Sequence, residues 1–120
     1  MKRFLIGAAF VCVATIATSA HAADVGGSYS VYGTNFDGSH YKGTAVIKGS
    51  SSSCTIEWQT GSTTSSGICI LSGTVFAAAY QLGKDVGLAV YDVHGDGALD
   101  GVWSIEGQEG SGTEILTPAD

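Results

Sequence analysis

The chain has 120 residues, 44% of them hydrophobic and only 13% charged, with 18 glycines, one proline and a net charge of −6. That size suits one small domain with a single core. The charge excludes a nucleic-acid partner: beyond residue 22 only Lys42, Lys48 and Lys84 face eleven acids, no arginine remains, and the net charge is −8, which repels a phosphate backbone.

The first segment reads as an export signal. Met1-Lys2-Arg3 is cationic, an apolar run follows from Phe4 to about Thr18, and Ala20-His21-Ala22 offers small residues at −3 and −1. This is the pattern of a secretory signal peptide cleaved after Ala22. A transmembrane anchor fits less well, because the run is shorter than the roughly 20 apolar residues of a span and nothing cationic follows it. Cys12 lies inside the run after bulky Val11, which disfavours a lipoprotein. The expectation is a signal peptide over 1–22, a single domain over 23–120, a periplasmic or secreted location, and no membrane span in the mature protein.

Nothing in the remainder reads as a helix. Short β-branched and aromatic runs alternate with Gly, Ser, Asn and Asp every ~8–12 residues, which is sandwich or barrel grammar. Eight strands are expected, at 27–33, 41–48, 54–59, 64–71, 74–81, 86–93, 98–105 and 110–116. All connections are short, and short links join antiparallel neighbours, since a parallel crossover needs a dozen or more residues. The expected fold is all-β: one small antiparallel meander of about eight strands, closed into a barrel so that no edge is left unpaired.

Alternation assigns the inner face. Tyr29, Val31 and Gly33 share one side of the first strand, and Tyr41, Gly43, Ala45 and Ile47 share one side of the second. Leu99, Gly101 and Trp103 do so in the seventh. With Trp58, Phe76 and Tyr80 these positions supply enough bulk to fill an eight-stranded interior, which is only just wide enough for side chains or one small ligand. Five inner glycines, Gly33, Gly43, Gly67, Gly101 and Gly112, work against filling. Glu114 lies in phase with Gly112 and Leu116, and a carboxylate facing inward must be hydrogen-bonded or protonated. In a filled barrel its partners would be backbone groups or tyrosine hydroxyls; in a carrier it would face an aromatic-lined void.

The cysteines carry the sharpest local inference. Cys54 and Cys69 remain after cleavage, and an exported chain meets oxidising conditions. Glycine first in a Gly61-Ser62 turn marks a two-residue hairpin. It sets Cys54 opposite Cys69, Trp58 opposite Ser65 and Ile56 opposite Gly67. A disulfide is expected; a redox-active pair would need the Cys-x-x-Cys arrangement that lowers a thiolate's pKa. A Ser72-Gly73 turn in the next hairpin would set Cys69 opposite Phe76.

Catalytic and metal motifs are weak. Asp92-Val93-His94-Gly95-Asp96-Gly97-Ala98-Leu99-Asp100 superficially resembles a calcium loop, but Trp103 stands where the bidentate glutamate belongs. A glycine-rich hairpin turn accounts for it better. His40 and His94 each stand alone in a polar loop, whereas zinc needs three or four converging ligands. There is no Gly-x-Ser-x-Gly elbow, and Glu57 is out of phase with Cys54, Ile56 and Trp58. No catalytic residue, metal or cofactor is expected.

Several phrases together resemble a family. They are Gly27-Ser28-Tyr29-Ser30-Val31-Tyr32-Gly33-Thr34-Asn35-Phe36-Asp37-Gly38-Ser39, leading into Tyr41-Lys42-Gly43-Thr44, then Trp58, Gly67-Ile68-Cys69-Ile70-Leu71-Ser72-Gly73, Asp96-Gly97-Ala98-Leu99-Asp100-Gly101-Val102-Trp103, and Gly112-Thr113-Glu114-Ile115-Leu116-Thr117-Pro118. The pattern resembles small exported, largely uncharacterised proteobacterial β-proteins, some labelled fibronectin-binding. It spans nearly the whole chain after residue 22 and implies no catalytic motif; the cysteines at 54 and 69 are not among the residue types that the family pattern calls for. The hairpin rhythm and inner tryptophans are also similar to those of avidins and lipocalins, as fold analogy only.

The leading expectation is an exported, non-catalytic binding or interaction module whose partner is an envelope or extracellular protein. The alternatives are a carrier that holds a small ligand in the barrel mouth and a small-barrel protease inhibitor. The candidate ligand or structural site is Glu114 with Trp58, Trp103 and Tyr41.

Overall fold

The computed structural model describes residues 24–119, so the signal-peptide expectation lies outside the described residues. Eight strands follow in chain order: β1 (Gly27–Thr34), β2 (His40–Ser50), β3 (Ser53–Thr60), β4 (Thr63–Ser72), β5 (Val75–Leu82), β6 (Asp85–Val93), β7 (Leu99–Ile105) and β8 (Gly112–Pro118). Each pairs antiparallel with the next, and β8 returns to β1, so the meander is a closed barrel. Closure leaves no unpaired strand edge.

Glycine sets three of the hairpins. Gly61, Gly73 and Gly83 each take the first central turn position at φ 62°, a conformation that costs an L side chain steric strain and glycine none. This rule corrects one sequence expectation. The β4–β5 turn is Gly73-Thr74, flanked by the Ser72–Val75 pair, not Ser72-Gly73. Cys69 therefore faces Ala78, and Phe76 faces Leu71. The slip is two residues in partner, so every side chain keeps its face, and Phe76 is still fully buried.

The β3–β4 register is as expected, with Cys54 opposite Cys69, Ile56 opposite Gly67 and Trp58 opposite Ser65. Cys54 and Cys69 form a disulfide with Cα atoms 5.0 Å apart. It joins neighbouring strands at the barrel end where the β2–β3 and β4–β5 turns lie. That end is filled. Ile47, Ile56, Phe76, Leu99 and Leu116 are essentially inaccessible there, and Val25, just before β1, is buried with them. Each such side chain contributes about 1.5–3 kcal/mol by burial. Tyr29 Oη donates to Val25 O at 2.6 Å and ties the entering chain to this plug.

The Asp92–Asp100 stretch folds as a hairpin turn. Gly97 N donates to His94 O at 2.9 Å and His94 N to Ala98 O at 2.8 Å, while Asp96 Oδ1 accepts from Ala98 N at 3.0 Å. Asp96 thus spends its carboxylate on its own turn. His40 is the first residue of β2 rather than a loop residue, and its ring stacks on Tyr32 outside the barrel at 5.3 Å.

Candidate functional site

The opposite end of the barrel is open. A cup of about 290 Å³ lies between the β1–β2, β3–β4 and β5–β6 connections. Its walls are Tyr41, Trp58, Tyr80, Tyr91 and Trp103, and its rim includes Asn35, Thr60, Thr63 and Ser65. Inner bulk was expected to fill the interior; it fills one half and lines the other.

Cross-strand pairing explains why the rings line the cup instead of occupying it. Tyr41 faces Gly33, Tyr80 faces Gly87, Tyr91 faces Gly101 and Trp103 faces Gly112. A Cβ placed on any of these glycines would run into the facing ring. Each ring therefore lies against the bare backbone of its neighbour, flat on the wall, and its volume is taken from the strand rather than from the lumen. Trp58 has small neighbours as well, Ala45 and Ser65, and meets Tyr80 edge to face at 5.1 Å. Trp103 is half-buried; Phe36, from the β1–β2 loop, stacks on it at 4.8 Å.

Glu114 is the one buried charged side chain among the described residues, 5% exposed. Its strand neighbours are Gly33 on β1 and Gly101 on β7, so no side chain stands beside it. Three donors reach it instead. Tyr41 Oη donates to Oε1 at 2.6 Å, while Trp58 Nε1 at 2.8 Å and Tyr91 Oη at 2.7 Å donate to Oε2. These are short, charge-assisted bonds. They join β2, β3, β6 and β8 across the lumen, which the backbone ladders cannot do.

The tyrosines register this surrounding. Burial, and then the charge of Glu114, push the Tyr80 hydroxyl up to about 12. Burial first, then the charge of Glu114 and its direct hydrogen bond, raise Tyr41 and Tyr91. Tyr80 Oη donates to Ser104 O at 3.1 Å and Trp103 Nε1 to Thr113 O at 3.2 Å.

The four residues singled out from the sequence, Glu114, Trp58, Trp103 and Tyr41, thus meet in one place. Tyr80 joins them from an expected inner position. Tyr91 was missed. It lies in phase with Gly87 and Ala89, but the intervening Leu88 and Val90 are also apolar, and their exposure on the outer wall erases the alternation that marks an inner face. Glu57 points outward, as its phase implied. Among the described residues no group of three or more His, Cys, Asp or Glu side chains could hold a metal ion.

Fold and site together define a small antiparallel β-barrel, plugged at one end and carrying an aromatic cup over a buried carboxylate at the other. Neither a known family model nor a curated protein matches the chain.

Proposed function

We propose that this protein is a non-catalytic carrier that holds a small molecule in the barrel mouth. One observation carries the reading: the cup of about 290 Å³, open at one end, walled by five aromatic rings and floored by Glu114. Ligand sites have this composition, mostly apolar and aromatic with few convergent polar groups, and volumes from about 300 Å³ upward. The network around Glu114 supports a binding role over a catalytic one, because each ring donor near the carboxylate is already engaged.

The disulfide points to an oxidising, non-cytoplasmic compartment, and an exported, periplasmic or secreted carrier is the fuller form of the proposal. Among the described residues no helix is long and apolar enough to cross a membrane. The inner face of the barrel is its apolar core, and on β2 and β3 Lys42, Lys48, Thr55, Glu57 and Gln59 point outward, opposite to the lipid-facing wall of a membrane barrel. Native mass spectrometry of domain purified without denaturation tests the carrier. A retained small-molecule mass is expected, and Ala89→Leu, which fills the cup from its wall, should abolish it while the fold survives. A cup that retains and titrates no small molecule refutes the reading.

The interaction-module reading is favoured by a different observation. On the outer wall Ile68, Ala79 and Leu88 form one cross-strand row and Ile70, Ala77 and Val90 the next, continued by Val102. Ile68 is 69% and Leu88 62% exposed, and the alanines floor a groove between the larger side chains. Contiguous apolar patches of this kind mark association surfaces. A pull-down from envelope extract and extracellular matrix tests it: a protein captured by the wild type and lost with Leu88→Lys supports that role, and capture unchanged by Leu88→Lys removes it.

A further inference from the structure

We propose that the cup is selective for a small organic cation bearing N–H groups, an alkyl- or arylammonium. The inference rests on the carrier reading and specifies its ligand. Its basis is the donor and acceptor inventory of the walls. Trp58 Nε1, Tyr41 Oη and Tyr91 Oη all donate to Glu114. Trp103 Nε1 donates to Thr113 O, and Tyr80 Oη to Ser104 O. All five aromatic walls have therefore spent their hydrogens on the protein itself. On these five walls what remains toward the lumen is acceptor lone pairs and ring faces; hydroxyl donors enter the lining at the rim, on Thr60, Thr63 and Ser65.

Glu114 is the only charged side chain in the lining, and no Lys, Arg or His contributes to it. A carboxylate offers about four acceptor positions. Three are taken, two on Oε2 and one on Oε1, so Oε1 keeps one for a ligand N–H. The hydroxyl oxygens of Tyr41 and Tyr91 are polarised by donating to an anion, which strengthens them as acceptors. The ring faces carry the negative side of the aromatic quadrupole and attract a cation within about 6 Å. An anion would meet Glu114 with no compensating charge. A neutral ligand without donors would leave these acceptors desolvated and unpaired, which costs affinity. The acidic surface, with three lysines among the residues after 22, adds long-range attraction for cations. At a liquid share of ~30 Å³ per water, the cup admits a ligand on the order of ten non-hydrogen atoms.

Three probes of matched size test this: 2-phenylethylammonium, 2-phenylethanol and phenylacetate, titrated at neutral pH against intrinsic tryptophan fluorescence and by calorimetry. The ammonium is expected to bind at least about tenfold more tightly than the alcohol, and phenylacetate not at all. Glu114→Gln should remove most of the ammonium's advantage over the alcohol. The wild-type comparison decides the matter alone should that variant fold poorly. Alcohol or carboxylate binding as tight as the ammonium overturns the cation assignment and leaves the carrier standing. Failure of all three to bind at millimolar concentration overturns the cation assignment, and native mass spectrometry, which reads any retained molecule, decides the carrier separately.

Discussion

Glu114→Gln probes the network under the cup most directly. An indole N–H can only donate, so the glutamine must place its carbonyl oxygen where Oε2 accepts from Trp58 and Tyr91. Its amide nitrogen then stands where Oε1 accepted from Tyr41, and that hydroxyl has to rotate and accept. Two charge-assisted bonds become neutral ones, and a third reverses. Bonds to a charged group contribute ~1.5–3 kcal/mol and neutral ones ~0.5–1.5, so the gross loss is about 3 kcal/mol. Relief of a buried charge and water in the open cup return part of it. A net destabilisation of about 1–2 kcal/mol is expected, which in a domain this small lowers Tm by roughly 5–15 °C. Calorimetry and urea unfolding of the ligand-free protein measure it. A double-mutant cycle with Tyr91→Phe isolates the pair and should show coupling of at least ~0.5 kcal/mol. A glutamine variant as stable as the wild type, or a cycle additive within about 0.3 kcal/mol, would refute the view that this carboxylate knits the barrel across its lumen.

Replacing both Cys54 and Cys69 by alanine opens a link of sequence separation 15, and the chain-entropy argument puts the loss at about 3 kcal/mol; equal urea midpoints for the two proteins would contradict it. Gly87→Ala directs a Cβ at the ring of Tyr80, which supplies its three nearest atoms, so the ring must swing into the cup. A cost of about 1–3 kcal/mol with weakened ligand binding is expected, and unchanged binding would show that the ring does not form the wall. Tyr41, Tyr80 and Tyr91 hold their protons more tightly folded than unfolded. Their contribution to stability is therefore intact below the unfolded value of ~10 and is lost as pH rises through about 12, the folded value of Tyr80. Phenolate absorbance followed alongside circular dichroism should show these three ionising only as the barrel opens; ionisation below pH ~10 with the fold intact would contradict the burial described.

Local rules carried much of the architecture. Period-two alternation and glycine-led turns are written in neighbouring residues, so strand number, order and most inner positions were legible, and the Gly61-Ser62 turn alone set Cys54 against Cys69. Where both faces of a strand are apolar that rule has nothing to read, and Tyr91 on β6 was lost for this reason. At Ser72-Gly73 the expectation departed from the glycine-first rule that served at Gly61-Ser62, and the φ of 62° at Gly73 restores it.

Three-dimensional closure decided the rest. Glu114 lies 56 residues from Trp58 and 73 from Tyr41; only the β1–β8 seam brings it between Gly33 and Gly101 and under those donors. Filled barrel or cup was equally a question of curvature. The same rings and glycines would plug a lumen if the rings pointed to its axis, and they form a wall because each lies over the glycine of the neighbouring strand. Ring direction depends on cross-strand packing between segments far apart in the chain, and no spacing within a single strand encodes it.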